Sequence, residues 1–131
     1  MSALPKPTES ELEILQILWE HGPSPVRFVH DKLNEARQAS QREEVGYTTA
    51  LKLMQIMADK GLLTRNTETR SHVYEAAVPE EDTQQQLLKK FVDATFRGSA
   101  MKLVMQALGN HEASAEELEE IKALIEKMEK K

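Results

Sequence analysis

Apolar positions at helical spacing, broken by short polar turns, run along most of this chain. Thr8 followed by Glu11 has capping-box spacing, and Leu12, Leu15 and Ile17 to Trp19 then form an apolar face. Trp19 follows Leu18 on the buried side, where an indole contributes most. His21-Gly22-Pro23 ends this first helix, because glycine tolerates the cap geometry and proline cannot continue the helix. Ser24-Pro25 reads as a fresh start, with serine as N-cap and proline at the first helical position. Val26, Val29 and Leu33 form one stripe, which predicts a second helix of about nine residues. The polar stretch NEARQASQREE that follows could extend this helix, which its Gln, Arg and Glu content favours, or form a polar loop; lacking a sustained apolar face, it reads as mobile. A third helix is predicted from about Thr48 to Lys60, with Ala50, Leu53, Met54 and Met57 buried and Gly61 as its C-terminal cap.

Beyond Gly61 the period changes. LLTRNT and SHVYEAAV carry β-branched and aromatic residues in partial alternation, with Glu68-Thr69 near the tip between them. A two-stranded ribbon is not stable alone, so it must lean on the helices through Leu62, Val73 and Tyr74. The order of three helices and a hairpin predicts a winged helix-turn-helix over residues 8–78. Pro79 then breaks the chain. Three more helices follow: one with Leu87, Leu88, Phe91, Val92 and Thr95, one over AMKLVMQAL, and one opened by Ser114 and Glu117 at capping-box spacing. The fold class is therefore mainly α with a small β-hairpin wing, followed over 79–131 by a helical region. Three short helices within about 50 residues make a small core. Leu88, Phe91, Val92, Val104, Leu108, Leu118, Ile121, Leu124 and Ile125 are thus expected to meet a second copy of the chain in a homodimer.

Composition narrows the chemistry. Without cysteine there are no disulfides and no thiolate metal site. The histidines at 21, 30, 72 and 111 share no ligand spacing with a carboxylate, and no phosphate loop, nucleophile elbow or HExxH pattern occurs. No enzyme and no cofactor are expected. The start lacks a signal peptide, and no run of about 18 apolar residues is present, so a cytoplasmic protein without a membrane partner is expected. A net charge of −5 argues against nucleic-acid binding by bulk charge but not against a local basic patch.

One local pattern does suit DNA. A helix entering the major groove needs short polar side chains at its N-terminus and longer donors along one face. Tyr47, Thr48, Thr49, Lys52 and Gln55 have that arrangement, and either threonine can cap the helix while offering a hydroxyl or amide to a phosphate. A plain cap with a solvated face is the competing reading. The hairpin adds Arg65, Asn66, Thr67, Arg70 and His72 around an acidic tip.

These segments together resemble the BlaI/MecI/CopY family of bacterial winged-helix repressors. PTESELEILQILWEHG resembles the family's opening phrase, SPVRFVHDKL its short second helix, and VGYTTALKLMQIMADKGLLTR its recognition-helix segment, while Tyr74 in RSHVYEAAVPEED stands where the family's wing ends in tyrosine. The resemblance is close over Thr8 to Val78 and holds in layout beyond. It implies a homodimer on a palindromic double-stranded operator. It carries DNA contact to Tyr47, Thr48 and Thr49, wing contact to Arg65 or Arg70, and dimer contacts to the C-terminal helices.

The chain also departs from the family pattern. Val45 replaces a tryptophan, Ile56 replaces an arginine, and the segment between Leu33 and Val45 is several residues longer, so that Arg37, Gln38, Gln41 and Arg42 are candidates to reach phosphate. Antibiotic-responsive members are cut by a signalling protease at an Asn-Phe bond. The matching place, about Gln106-Ala107, lacks that pair, which leaves a protease partner open. Copper-responsive members use cysteines, which are absent. Ile56 and the acidic balance keep an alternative in view, a winged-helix protein-interaction module with weak or no DNA binding.

Overall fold

The computed structural model describes residues 5–68, 72–110 and 112–130. In chain order the elements are α1 (Glu9–His21), β1 (Ser24–Pro25), α2 (Val26–Ala39), α3 (Tyr47–Asp59), β2 (Leu63–Asn66), β3 (Val73–Ala76), α4 (Glu80–Phe96), α5 (Ala100–Asn110) and α6 (Ala115–Glu129). The chain forms two compact units, Met1–Leu87 and Leu88–Lys131, whose division falls within α4.

In the first unit, α1 begins where a capping box forms: Glu11 N–H donates to Thr8 Oγ1 at 3.2 Å, and Thr8 N–H donates to Glu11 Oε1 at 2.8 Å. The helix stops at Gly22, whose φ of 81° lies in the region that glycine adopts without strain. Ile14, Leu15 and Leu18 of α1, Val29 and Leu33 of α2, Met54 and Met57 of α3, and Leu62, Leu63 and Tyr74 of the hairpin make one continuous core. Trp19 packs against its edge, and its Nε1–H donates to the Val78 carbonyl at 3.0 Å, tying α1 to the end of the wing.

The expected start at Ser24-Pro25 takes a different form. Ser24 does not cap a helix; its Oγ donates to the Gly22 carbonyl at 2.9 Å. Ser24 and Pro25 pair with Tyr74 and Val73, so the sheet has three strands in the order β1-β3-β2. Proline lacks an N–H and is tolerated on an edge strand. Pairing with β3 therefore overrides the local cap signal, and α2 begins one residue later, without a side-chain cap.

The second helix is also longer than about nine residues. It continues through Ala39, so much of the stretch expected to be mobile is helical. Arg37 explains the extension. Its Nη2 donates to Glu13 Oε1 at 2.9 Å and its Nη1 to the Glu43 carbonyl at 3.2 Å. These contacts bind the end of α2 and the following turn to α1.

The third helix ends in a Schellman arrangement. Leu62 N–H donates to the Met57 carbonyl at 2.9 Å, Gly61 N–H donates to that of Ala58 at 3.2 Å, and Gly61 has a φ of 86°. This turn delivers Leu62 and Leu63 into the core as β2 begins. The ribbon registers Arg65 against Tyr74 and Asn66 against Val73. In the second unit, the capping box of Ser114 and Glu117 opens α6 as expected. Neither α5 nor α6 has a buried residue.

Glu11 has a second role besides its cap. Only 2% exposed, it receives the Lys60 ammonium on both oxygens, at 2.8 and 2.9 Å. Burial works against its charge, but the hydrogen bonds from Lys60 and Thr8 and the lysine charge outweigh burial, and the carboxyl sits below its ordinary range. A lowered folded-state value means that Glu11 stabilises the fold above the carboxylate's ordinary value, and that this contribution is lost as pH falls through the lowered one. Lys60→Met should therefore move the acid-unfolding midpoint to higher pH and cost about 1–3 kcal/mol near neutrality, less than a fully buried pair because the ammonium keeps partial solvent contact. Trp19 fluorescence followed against pH and urea checks both.

Candidate nucleic-acid interface

The helical period of α3 separates its two faces. Ala50, Met54 and Met57 are buried, while Thr48, Lys52, Gln55 and Asp59 are exposed in steps of three and four residues along one stripe. The structure thus brings together Thr48, Lys52 and Gln55 as the sequence predicts, with Thr49 and Tyr47 exposed beside them. Neither threonine is the cap. Gly46 occupies that position and supplies no side chain, and the first bond of the helix runs from Ala50 N–H to the Gly46 carbonyl. The amides of Tyr47, Thr48 and Thr49 are consequently free of helical acceptors, and no acid stands in this first turn. That end of the helix carries a positive partial charge facing solvent.

The start of α3 is clamped from α2. Asn34 closes two hydrogen bonds on one residue: Val45 N–H donates to Oδ1 at 2.7 Å, and Nδ2–H donates to the Val45 carbonyl at 2.9 Å. His30, one turn earlier on the same face of α2, places Nε2 2.9 Å from that carbonyl, a bond that requires the proton on Nε2. Its ring also meets Tyr47 edge-on at 5.7 Å, and the Arg27 guanidinium lies 5.8 Å from the centre of the Tyr47 ring. The far end of α3 is held by Lys60 on Glu11. With both ends fixed, the exposed stripe has one orientation relative to α1, α2 and the wing.

The wing supplies the neighbouring surface. Gln55, Ala58, Asp59, Arg65, Thr67 and Tyr74 line a cleft of about 500 Å³ between α3 and the ribbon. Arg65 is exposed there and has no acidic partner among the described residues. Asp59 is the one carboxylate of this lining. Asn66 Oδ1 accepts from Glu68 N–H at 2.9 Å, turning the chain beyond β2. Arg70 lies outside the described residues.

The long segment before α3 does not offer the cations that the sequence suggested. Arg37 and Arg42 both bind Glu13, at 2.9 and 3.2 Å, and Arg42 also approaches Glu9 at 3.9 Å. Gln38 donates to Glu44. These side chains are engaged by acids of α1 and of their own turn. Ile56 is 43% exposed, an apolar residue on the solvent side of α3. Sequence reasoning missed Arg27, His30 and Asn34. The spacing of His30 and Asn34, four residues apart on α2, was the available signal, since such pairs share one face.

Among the described residues no group of acids and histidines is placed to hold a metal ion, and no helix is long and apolar enough to cross a membrane. A helix with an exposed polar stripe, set on a three-helix core beside a β-ribbon, is a winged helix-turn-helix, an architecture of DNA-binding transcriptional regulators. Comparison with known proteins agrees. The family model described as penicillinase repressor matches residues 7–127, and the chain belongs to that family. It is 24% identical over 126 residues to the penicillinase repressor of Bacillus licheniformis, covering 96% of this chain and 94% of that protein. It is 21% identical over 120 residues to the methicillin resistance regulatory protein MecI of Mammaliicoccus sciuri, covering 92% and 93%. The solution structure of the DNA-binding domain of the repressor BlaI matches 63% of this chain and 93% of its own, with a TM-score of 0.50 and 23% identity.

Asn34→Ala removes both side-chain bonds to Val45, leaving its part-buried N–H unpaired and its carbonyl with His30 as the remaining side-chain partner. The expected cost is about 1–3 kcal/mol in urea unfolding. Amide exchange should accelerate most in the first turn of α3. Equal acceleration throughout α1, α2 and α3 would assign Asn34 to global stability instead of to this clamp.

Proposed function

We propose that the protein acts as a homodimeric repressor, each copy laying α3 in the major groove of one half of a palindromic operator. The observation that carries this reading is the free Thr48–Lys52–Gln55 stripe on a helix pinned at both ends, beside a wing that presents Arg65. Thr48 leads into the groove, where its hydroxyl and the free first-turn amides meet phosphate. Tyr47 and Thr49 border that contact. Lysine at 52 suits the acceptors of guanine, and glutamine at 55 suits adenine. Arg65, and by the family resemblance Arg70, serve the backbone.

Dimerisation is assigned to the helices after Pro79. Leu88, Phe91, Val104, Leu108, Leu118, Leu124 and Ile125 are exposed large apolar residues on α4, α5 and α6, and Ile121 is half-buried. Val92 differs from the rest, being buried within the single chain, and so serves the seam only indirectly. So many exposed large apolar residues on three neighbouring helices of the sequence argue for an association surface. A two-fold dimer then requires inverted half-sites about 34 Å apart, one helical turn, or a multiple of it.

A second reading, a protein-interaction module with weak DNA binding, draws on the exposed Ile56 and the net charge of −5. Selection of duplexes from randomised DNA by the purified protein, with affinity measured at two salt concentrations, separates the two. A selected consensus with steep salt dependence supports the repressor, and no enrichment with a flat dependence supports the module.

Two substitution sets sharpen the test. Gln55→Ala should relax preference at one base pair per half-site by about 1–3 kcal/mol, whereas Arg65→Ala should weaken binding to all sequences and shrink the salt slope by about 1 per protomer. Phe91→Asp or Val104→Asp should shift the protein toward monomer in sedimentation, since each puts an unpaired carboxylate in an apolar seam. Association that survives both places the seam elsewhere.

A further inference from the structure

The cations of the helix-and-wing unit fall into two sets. Lys32, Arg37, Arg42 and Lys60 are each matched to glutamates, namely Glu35, Glu13, Glu9 and Glu11. Arg27, Lys52 and Arg65 have no acidic partner among the described residues, and apart from Lys6 ahead of α1 they complete the described cations of this unit, Arg70 lying outside the described residues. Lys52 and Arg65 belong to the interface already described. Arg27 lies outside anything the sequence pattern singled out.

The position of Arg27 is unfavourable for the isolated fold. It stands in the first turn of α2, a helix with no side-chain cap and no acid in that turn. A cation near the positive end of a helix is destabilising, and an anion placed there reverses the sign. The side chain is also oriented. Its guanidinium lies against the Tyr47 ring at 5.8 Å, and that ring is braced from another side by His30 at 5.7 Å. Stacking on an aromatic face limits the freedom of the guanidinium without consuming its donors.

Two clefts border α3 and share Gln55 and Tyr74. The first, about 380 Å³, is lined by Arg27, Tyr47, Leu51, Gln55 and His72 among others, and the second contains Arg65. Arg27 therefore accompanies the N-terminal half of the helix and Arg65 its C-terminal half. From Tyr47 to Gln55 the helix rises about 12 Å, comparable with the width of a major groove. A cation beside each end of this stretch, Arg27 at Tyr47 and Arg65 in the cleft with Gln55, faces the backbone that flanks the helix in a groove.

We propose that Arg27, held against Tyr47, is a second backbone-phosphate contact, fixing the N-terminal end of α3 in the groove while Arg65 fixes the other. This rests on the repressor reading above, and deepens it by adding a contact from α2. The contact sets the register of α3 on the duplex and reads no base.

The test uses the full-length protein, a duplex it selects from randomised DNA, and a scrambled duplex of equal length. Arg27→Ala should weaken binding to both duplexes by a similar factor and shrink the salt slope by about 1 per protomer. Its thermal midpoint should not fall. Arg27→Lys should recover the slope but only part of the affinity, because the charge returns without the stacked plane. An unchanged slope, or a loss confined to the selected duplex, overturns the proposal. So does a lowered thermal midpoint that lysine fails to restore, which marks a purely structural role. Arg65→Ala, measured alongside, separates the two levels. If Arg65→Ala lowers the slope and Arg27→Ala does not, the Arg27 contact alone falls. If the unmodified protein selects no duplex and shows no salt dependence, the repressor reading falls with it.

Discussion

The carboxylate of Glu11 accepts from the Thr8 amide and from the Lys60 ammonium, and so joins the first turn of α1 to the last turn of α3. Taking a carboxylate out of water costs several kcal/mol unless charge and hydrogen bonds replace the lost solvation. Here both do. The lysine also stands at the negative end of α3, where a cation is favoured. The ion pair has a geometric consequence beyond its energy: it fixes where α3 ends, as Asn34 fixes where it begins. A helix packed only through Ala50, Met54 and Met57 can slide or rotate on an apolar surface at modest cost. Hydrogen bonds at each end remove that freedom, and recognition of bases by two or three side chains depends on its removal.

Charge is arranged along the same lines. The molecule is acidic overall, and its acids are not spread evenly over the helix-and-wing unit. Glu9 and Glu13 on α1 hold Arg42 and Arg37, and Glu11 holds Lys60. Among the described residues, Arg27, Lys52 and Arg65 are left without acids on or beside α3. Bulk charge at −5 therefore says little about the local field, because the pairs cancel on the α1 side and leave unmatched arginine and lysine on the α3 side. Binding by such a surface rests on a few local contacts rather than on total charge.

Much of the architecture was legible in the sequence because short-range signals and long-range packing agree there. Thr8 with Glu11, Ser114 with Glu117, and Gly61 after Met57 each announce a helix end that the structure realises. Ser24-Pro25 was misleading for a definite reason: its cap chemistry is local, whereas the pairing with Val73 and Tyr74 that overrides it is about 50 residues distant in sequence. The end of α2 was obscured similarly, since the polarity of its last turns hides an ion pair from Arg37 to Glu13 on another helix. At the interface, Thr48, Lys52 and Gln55 followed from helical period. The roles of Asn34, His30 and Arg27 did not, because each depends on which backbone atom or ring lies across from it in the folded chain.

The central claim is that α3, held at both ends, is the element that meets base edges in the major groove. Dimethyl sulfate footprinting tests this directly, because it reports guanine N7 in the major groove and adenine N3 in the minor groove separately. On a duplex selected by the unmodified protein, the account predicts protection of guanine N7 in two patches with centres about 10 base pairs apart, or a multiple of that spacing. Protection of adenine N3 alone, or guanine N7 reactivity unchanged across a fully bound duplex, would contradict it.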